Sequence, residues 1–201
     1  IEGTDLFVTE RTGTNYKVTA DGLSIGGGDV TPVKTPEVTV LTSGTGTYTV
    51  PAGATYLEFK MVGGGGSHAK AGTATTFAGA TANGGAGGGG QGGTATLGPN
   101  AEGIICRGSA GGFVGAGGGL TAGGSSMFGG GSYNTTATAN NGGGASFGTN
   151  SGCGGGGVDA IISGPLDATY DYSIGAGGAA SGGYVGGTGV IYIKAYFSIE
   201  V

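Results

Sequence analysis

A long glycine-rich run lies between two ordinary β-strand sequences in this chain. Residues 63–188 contain 45 of the 55 glycines. TYLEFKMV precedes the run and TGVIYIKAYF follows it, and both alternate apolar with polar residues as amphipathic strands do. Because glycine has no side chain to bury and loses the most backbone entropy on folding, the run can be ordered only if its main-chain groups bond to one another at close range. We therefore predict a glycine framework that displays the few larger side chains.

Two default interpretations of so much glycine do not fit. A chain with 55 glycines and 5 prolines among 201 residues is typically of low complexity or disordered. Disordered chains combine low hydrophobicity with high net charge, whereas this chain is 37% hydrophobic and 9% charged, with a net charge of −5. Collagen requires glycine at every third position, and stretches such as GAGGGLTAGGSSMFGGGSYN break that rule. The composition indicates a compact chain.

The charge balance argues against one class of partner, and the two cysteines allow two states. Seven basic residues against twelve acidic ones leave no basic stripe, so nucleic acid is not an expected partner. The sequence shows neither an apolar run long enough to cross a membrane nor a signal peptide. Cys106 and Cys153 are interpreted either as one loop-closing disulfide or as two free thiols.

We predict three parts along the chain. Residues 1–30 form an N-terminal β attachment unit, in which DLFVTER and YKVTADGLSI pair as a hairpin across the turn-rich TGTN. From Gly26 to Pro36 the sequence GGGDVTPVKTP combines glycine with two prolines and has no periodicity, which indicates a linker or a strand-breaking connection. We assign the linker to residues 31–46. Residues 47–201 form the glycine-rich domain.

The two strand sequences that bracket the glycine run predict the base of this domain. Leu57 and Phe59 alternate with polar residues on the first strand, and Ile193 does so on the second, so we expect these strands to pair in one sheet. A domain this poor in large side chains would gain from burying these three residues between chains. We therefore predict a homotrimer.

The glycine run itself has two possible local structures. Blocks such as GGAGGGGQGG suit polyglycine II helices, which bond to neighbouring helices in a close-packed array, but short glycine-rich strands fit the spacing equally well. The intervening segments are expected to be turns or tip loops: AKAGTATTFAGATAN, TATLGPNAEGIICRGSA, SYNTTATANN and VDAIISGPLDATYDY. The predicted fold class is all-β, with a small sheet base that carries polyglycine II helices or glycine-rich strands.

No motif for catalysis, metal binding or a cofactor emerges from the sequence. His68 is the only histidine and has no local carboxylate to orient it, so a surface or loop-tip role is expected for it. Asp159, Asp167 and Asp171 lack the ligand spacing of a calcium loop. We expect a protein that is not an enzyme and uses no cofactor.

Single aromatic residues within the glycine run are the best candidates for binding. Each serves either as a plug between packed strands or as an exposed platform for sugars or apolar protein surface. The most polar surroundings contain three of them together with nearby asparagines, and these are the predicted receptor-binding residues: Phe77, Asn83, Phe128, Tyr133, Asn134, Asn140 and Asn141.

The frame TYTVPAGATYLEFKMVGGGG, the glycine-rich body and IGAGGAASGGYVGGTGVIYIKAYF resemble the glycine-rich C-terminal domain of bacteriophage tail-fibre and related adhesin-like virion proteins. The resemblance covers about residues 47–197. It implies a homotrimeric fibre component of the extracellular virion that binds a bacterial outer-membrane protein or surface polysaccharide without enzymatic action. The opening segment, which resembles short β segments of phage fibre and tail proteins, would then attach to other virion proteins.

Two other functions stay open at this point. A purely structural virion role is possible, as a capsid fibre, a decoration protein or a filament subunit. The threonine clusters TATT, TATL and TTATAT also resemble, more distantly, the flat faces of glycine-rich springtail antifreeze proteins, which implies ice binding as a lesser alternative.

Overall fold

The computed structural model describes residues 5–8, 16–19, 22–23, 34–112, 122–133, 136–137, 141–147, 150–179 and 183–198. Within these ranges the chain forms strands and no helix, so the predicted all-β class is confirmed. The strands are β1 (Asp5–Val8), β2 (Tyr16–Thr19), β3 (Gly22–Leu23), β4 (Glu37–Leu41), β5 (Thr45–Thr49), β6 (Ala54–Val62), β7 (Thr75–Phe77), β8 (Ala80–Ala82), β9 (Ala95–Thr96), β10 (Ala101–Cys106), β11 (Ser146–Phe147), β12 (Asn150–Ser151), β13 (Gly157–Ser163), β14 (Thr169–Ser173) and β15 (Val190–Phe197).

The N-terminal strands form a small sheet of their own. β1 pairs antiparallel with β2 in the predicted hairpin, and β3 adds to the other side of β2. The hairpin prediction is therefore confirmed.

Two five-stranded antiparallel sheets build the base of the glycine-rich domain. The first has the order β10-β13-β6-β15-β4, and the second has the order β5-β14-β7-β8-β9. β6 and β15 are adjacent in the first sheet, with Phe59 opposite Ile193, which confirms the predicted pairing of the strands that bracket the glycine run. The two sheets face each other as a sandwich, and their inner faces form one core.

The sandwich core explains why β6 and β15 alternate in sequence. Leu57, Phe59 and Ile193 are fully buried against the second sheet within a single chain. The reason that we gave for a homotrimer is therefore wrong, because these side chains leave no apolar surface for a partner. Phe77 of the second sheet lies near the middle of the core, with its ring centroid 5.1 Å from that of Phe59 and 5.9 Å from that of Tyr48.

Several strands lie where the sequence predicted connections. β4, inside the predicted linker, pairs with β15 along the edge of the first sheet, so the linker prediction is wrong for those residues. Three of the four segments that we expected to be turns or tip loops contain sandwich strands, namely β7 and β8, β9 and β10, and β13 and β14. Half of the fourth, SYNTTATANN, lies outside the described residues. These strands are short or glycine-flanked, which weakens their periodic signal.

The glycine-rich segments pack side by side above one end of the sandwich. Most of them continue directly from a sandwich strand, as the 63–66 segment continues from β6 and the 152–156 segment leads into β13. We call the packed segments the glycine array: 63–67, 70–74, 83–86, 91–94, 107–112, 122–126, 129–133, 142–145, 152–156, 174–178 and 185–189. Its distal end, remote from the sandwich, is formed by residues 68–69, 87–90, 146–147 and 183–184 among those described.

Main-chain hydrogen bonds in the glycine array repeat every three residues. The amide of Gly63 donates to Gly156 at 3.0 Å and that of Gly66 to Cys153 at 2.8 Å, so both bond to the same antiparallel neighbour. Between them, Gly64 donates to Thr73 and Gly65 to Gly187, on two different segments. A β-strand would return to the same neighbour at every second residue.

The array is packed hexagonally around two central segments. The 63–66 segment exchanges main-chain hydrogen bonds with six others, which are 70–74, 83–86, 142–145, 152–156, 174–178 and 185–189. The 152–156 segment does the same with 63–66, 83–86, 91–94, 107–112, 122–126 and 142–145. Consecutive neighbours around each central segment also bond to each other, which closes both rings.

Close main-chain approach is the reason that these segments are glycine. A Cβ added to Gly64 would overlap the carbonyl oxygen of Ala176, and one added to Gly154 would overlap that of Ser125. Cys153 is the largest side chain in the 152–156 segment, and its buried thiol donates to the carbonyl of Gly90 at 2.9 Å. Cys106 and Cys153 are both free, which settles the question of a disulfide between them.

Candidate functional site

Ser67 shapes the first turn at the distal end of the glycine array. Its fully buried side chain accepts hydrogen bonds from the amides of Ala69 at 3.3 Å and Lys70 at 3.0 Å, and its own amide donates to the Lys70 carbonyl at 2.7 Å. Serine stabilises such turns because its hydroxyl reaches nearby main-chain amides. The turn places His68 at the tip.

Phe147 and Tyr184 occupy two neighbouring distal connections. Phe147 ends β11, which pairs with β12 in a short hairpin, and it stands opposite Asn150. Tyr184 begins the return into the 185–189 segment, next to the bridge between Ala179 and Val185.

These two rings and His68 form one group, which we call the distal aromatic cluster (His68, Phe147 and Tyr184). The ring centroids of His68 and Phe147 are 5.3 Å apart, and those of Phe147 and Tyr184 are 4.7 Å apart. The planes are inclined by 49° and 33°, and Phe147 at the centre remains 45% exposed.

The lattice of the glycine array brings the three rings together. His68 follows the 63–67 segment, Phe147 follows the 142–145 segment, and Tyr184 precedes the 185–189 segment. These segments bond to one another in all three pairings, through Gly65 to Gly187, Ala145 to Gly66, and Gly187 to Gly143. The ring separations match the spacing of about 5 Å between hydrogen-bonded main chains.

The surroundings of the cluster are polar or bare main chain. The described residues of the distal end have no aliphatic side chain larger than alanine and no charged side chain, and Lys70 and Val185 stand at the start of adjoining segments. Nδ1 of His68 is buried and has no hydrogen-bond partner within the described part of the chain. An unpaired buried polar atom of this kind costs about 1–3 kcal/mol.

Phe77 is not part of any binding surface. Its side chain is fully buried, and its ring contacts Tyr48, Phe59 and Tyr170 in the sandwich core. Its assignment as a receptor-binding residue is wrong, because the threonines and alanines around it form the β7–β8 hairpin instead of an exposed loop. Here the plug interpretation of an aromatic residue holds.

The remaining predicted residues do not form one surface. Asn83, Phe128 and Asn141 lie at the end of the glycine array next to the sandwich, where Asn83 bonds to Thr94 and Asn141 contacts the turn that holds Phe128. Tyr133 is 55% exposed and lies at the distal end of the 129–133 segment, opposite Ala122. Asn134 and Asn140 lie outside the described residues.

The sequence contained a signal for the distal aromatic cluster, but a weak one. Phe147 and Tyr184 are single aromatics in the glycine run, and His68 was expected at the surface or at a loop tip, but nothing in the sequence indicated that these three connections are neighbours. Adjacency is set by the hydrogen-bonding order of segments that have nearly the same composition.

The described part of the chain offers few other candidate sites. Two open clefts of about 310 and 320 Å³ lie at the end of the sandwich remote from the glycine array, beside Pro99 and Asn100. Among the residues that the structure describes, no group of three or more His, Cys, Asp or Glu side chains is placed to hold a metal ion. Over the same residues, no helix is long and apolar enough to span a membrane.

Sequence comparisons add no information about the distal aromatic cluster. No protein-family model matches the chain, and no curated protein sequence matches it significantly.

Proposed function

We propose that the protein is a receptor-binding adhesin of a bacteriophage tail fibre or tail tip that acts without catalysis. In this proposal a polyglycine II scaffold presents loops to the surface of a host bacterium. The observation that carries it is the exposed distal aromatic cluster, which is held at the end of a packed array opposite the sandwich. Binding groups are typically carried by loops on a rigid scaffold.

The hydrogen-bond pattern supports the polyglycine II assignment. A helix with three residues per turn directs every third amide to the same neighbour, as Gly63 and Gly66 do. Neither central segment contains a glycine with positive φ, in keeping with a regular conformation along each segment. Six neighbours around a central helix is the packing expected for rods of equal width.

The layout of the chain supports an outward-facing distal end. The chain enters and leaves the glycine array through the sandwich, on β6 and β15, and the N-terminal hairpin precedes both. In this proposal the N-terminal strands attach to other virion proteins, and the distal end meets an outer-membrane protein or surface polysaccharide. The protein would be extracellular in the virion, as a homotrimer.

A binding experiment tests the proposal. The fluorescently labelled full chain is incubated with intact cells of a panel of Gram-negative bacteria that differ in porins and surface polysaccharides. We expect saturable binding to a subset of the isolates, weakened by Phe147→Ala. Absence of binding to every isolate would contradict the adhesin function.

The alternative is a purely structural virion protein, and one observation favours it. The outer face of the first sheet exposes apolar side chains that suit packing in a lattice: Val38, Val40, Tyr56, Ile104 and Ile161. A structural subunit would bind purified virions or capsids and ignore cells. Substitution of Val38 and Val40 by threonine would then weaken that binding, whereas Phe147→Ala would not.

A further inference from the structure

We infer that the distal aromatic cluster is a saccharide-binding site, with Phe147 as the stacking platform for a pyranose ring. This inference rests on the proposed adhesin function and names the class of ligand. It selects surface polysaccharide over an outer-membrane protein as the molecule that contacts these rings.

The geometry of the rings suits a flat ligand with an apolar face. Phe147 lies between His68 and Tyr184 and keeps 45% of its surface exposed, although both neighbours are within 5.3 Å between centroids. The face of an aromatic ring is electron-rich, and the C–H bonds on one face of a pyranose carry slight positive charge, so the two stack favourably.

The rigidity of the supporting lattice makes the platform effective. Each ring is attached to a segment that bonds directly to the other two, through Gly65, Gly187 and Ala145. Ser67 further fixes the turn that carries His68 through two hydrogen bonds from main-chain amides. Little conformational entropy is lost when a ligand meets groups that are already in place.

The surroundings favour a sugar over an apolar protein surface. Among the distal residues that the structure describes, the apolar area consists mainly of aromatic rings, set among glycine, alanine, serine and other small polar residues. A protein partner would require a broader apolar core of the kind found at protein interfaces. A sugar ring, in contrast, needs only a single aromatic platform together with polar partners for its hydroxyl groups.

The test compares cells whose surfaces have been altered chemically. Isolates that bind the labelled full chain are treated either with mild periodate, which cleaves vicinal diols of sugars, or with a protease that removes exposed protein. We expect periodate to abolish binding and the protease to leave it intact. Polysaccharide released from the same cells by mild acid should bind the purified chain directly.

Single substitutions test whether Phe147 forms the saccharide-binding site. Phe147→Ala should weaken binding of the released polysaccharide about tenfold or more, and Phe147→Tyr should retain it. Ile104→Ser, on the exposed outer face of the sandwich, is the control and should bind as the unmodified chain does. Unchanged thermal unfolding of Phe147→Ala would show that the loss is local.

Three results would overturn the inference in different ways. Binding that survives periodate and is lost after protease treatment would identify a protein receptor, and the adhesin function would stand without the saccharide site. Loss of binding in Phe128→Ala with none in Phe147→Ala would move the site to the opposite end of the glycine array. Absence of binding to every isolate would remove the proposed function and this inference together.

Discussion

Single glycines in the array are predicted to be irreplaceable wherever a Cβ would meet main chain. Gly64→Ala would force a methyl group into the Ala176 carbonyl, and backbone cannot rotate away as a side chain does. We expect a loss of at least about 3 kcal/mol in the free energy of unfolding, the upper range for overpacking. Gly130→Ala is the matched control because nothing lies within 4 Å of its Cβ position, and it should change stability by less than about 1 kcal/mol. Denaturant titration measures both, and equal losses would contradict the packing described.

Ala78 is a second residue at which backbone geometry decides stability. It has φ of 50° in the tight turn between β7 and β8, followed by Gly79 with φ of 78°. A left-handed conformation costs a residue with a Cβ about 1–2 kcal/mol, so Ala78→Gly should raise the free energy of unfolding by about 0.5–1 kcal/mol.

Ala52→Gly provides the control for that substitution. Ala52 also lies in an exposed turn, but its φ is not positive. Glycine at this position should therefore lower the free energy of unfolding, because it increases the conformational entropy of the unfolded chain. Denaturant titration should show a higher free energy of unfolding for Ala78→Gly and a lower one for Ala52→Gly. A loss of stability in both variants would mean that the β7–β8 turn is not left-handed.

At the scale of elements, a side-chain pair joins β6 and β15 on the outer face of the first sheet. The Tyr196 hydroxyl donates to the Glu58 carboxylate at 2.8 Å, and this hydrogen bond, followed by desolvation and the charge of Glu58, raises the pKa of Tyr196 to about 12. In the unfolded chain the pKa is 10.0. The stabilisation is therefore fully present below pH 10 and is lost as the pH rises from 10 to about 12.

Tyr196→Phe should remove this alkaline dependence. Above pH 10 the free energy of unfolding of the unmodified chain should fall more steeply than that of the variant. Glu58→Gln should shift the ultraviolet titration of Tyr196 towards lower pH, because the acceptor loses its charge. Parallel stability curves for the unmodified chain and Tyr196→Phe would argue against the Tyr196–Glu58 hydrogen bond.

At the scale of the whole molecule, the glycine array and the sandwich should unfold together. The 63–66 and 152–156 segments are surrounded by hydrogen-bonded neighbours and continue into core strands. We expect their amides to exchange with deuterium only on global unfolding, and the amides of the distal turn at Gly88 and Gly89 to exchange faster. Rapid exchange throughout both central segments would show that the glycine run is not an ordered framework.

Part of this architecture is present in the sequence. The alternation in β6 and β15 predicted their pairing, and the turn-rich TGTN predicted the N-terminal hairpin. Side-chain alternation and turn-forming residues are both local signals in the sequence. The same reasoning failed for β7 and β8, where three-residue strands are too short to show a period. It also placed Phe77 on the surface, since a polar neighbourhood in sequence says little about neighbours in space.

What the sequence determined by itself is that the glycine run must be held by its own main chain, since it has almost no side chains to bury. Only the tertiary structure decided which segments are neighbours, because segments of nearly identical glycine composition carry no side-chain information to specify their order. That order brings His68, Phe147 and Tyr184 together from connections far apart in the chain. The strands of the sandwich fix most of it, because most segments are held at their base by a strand whose place in a sheet is set by side-chain packing.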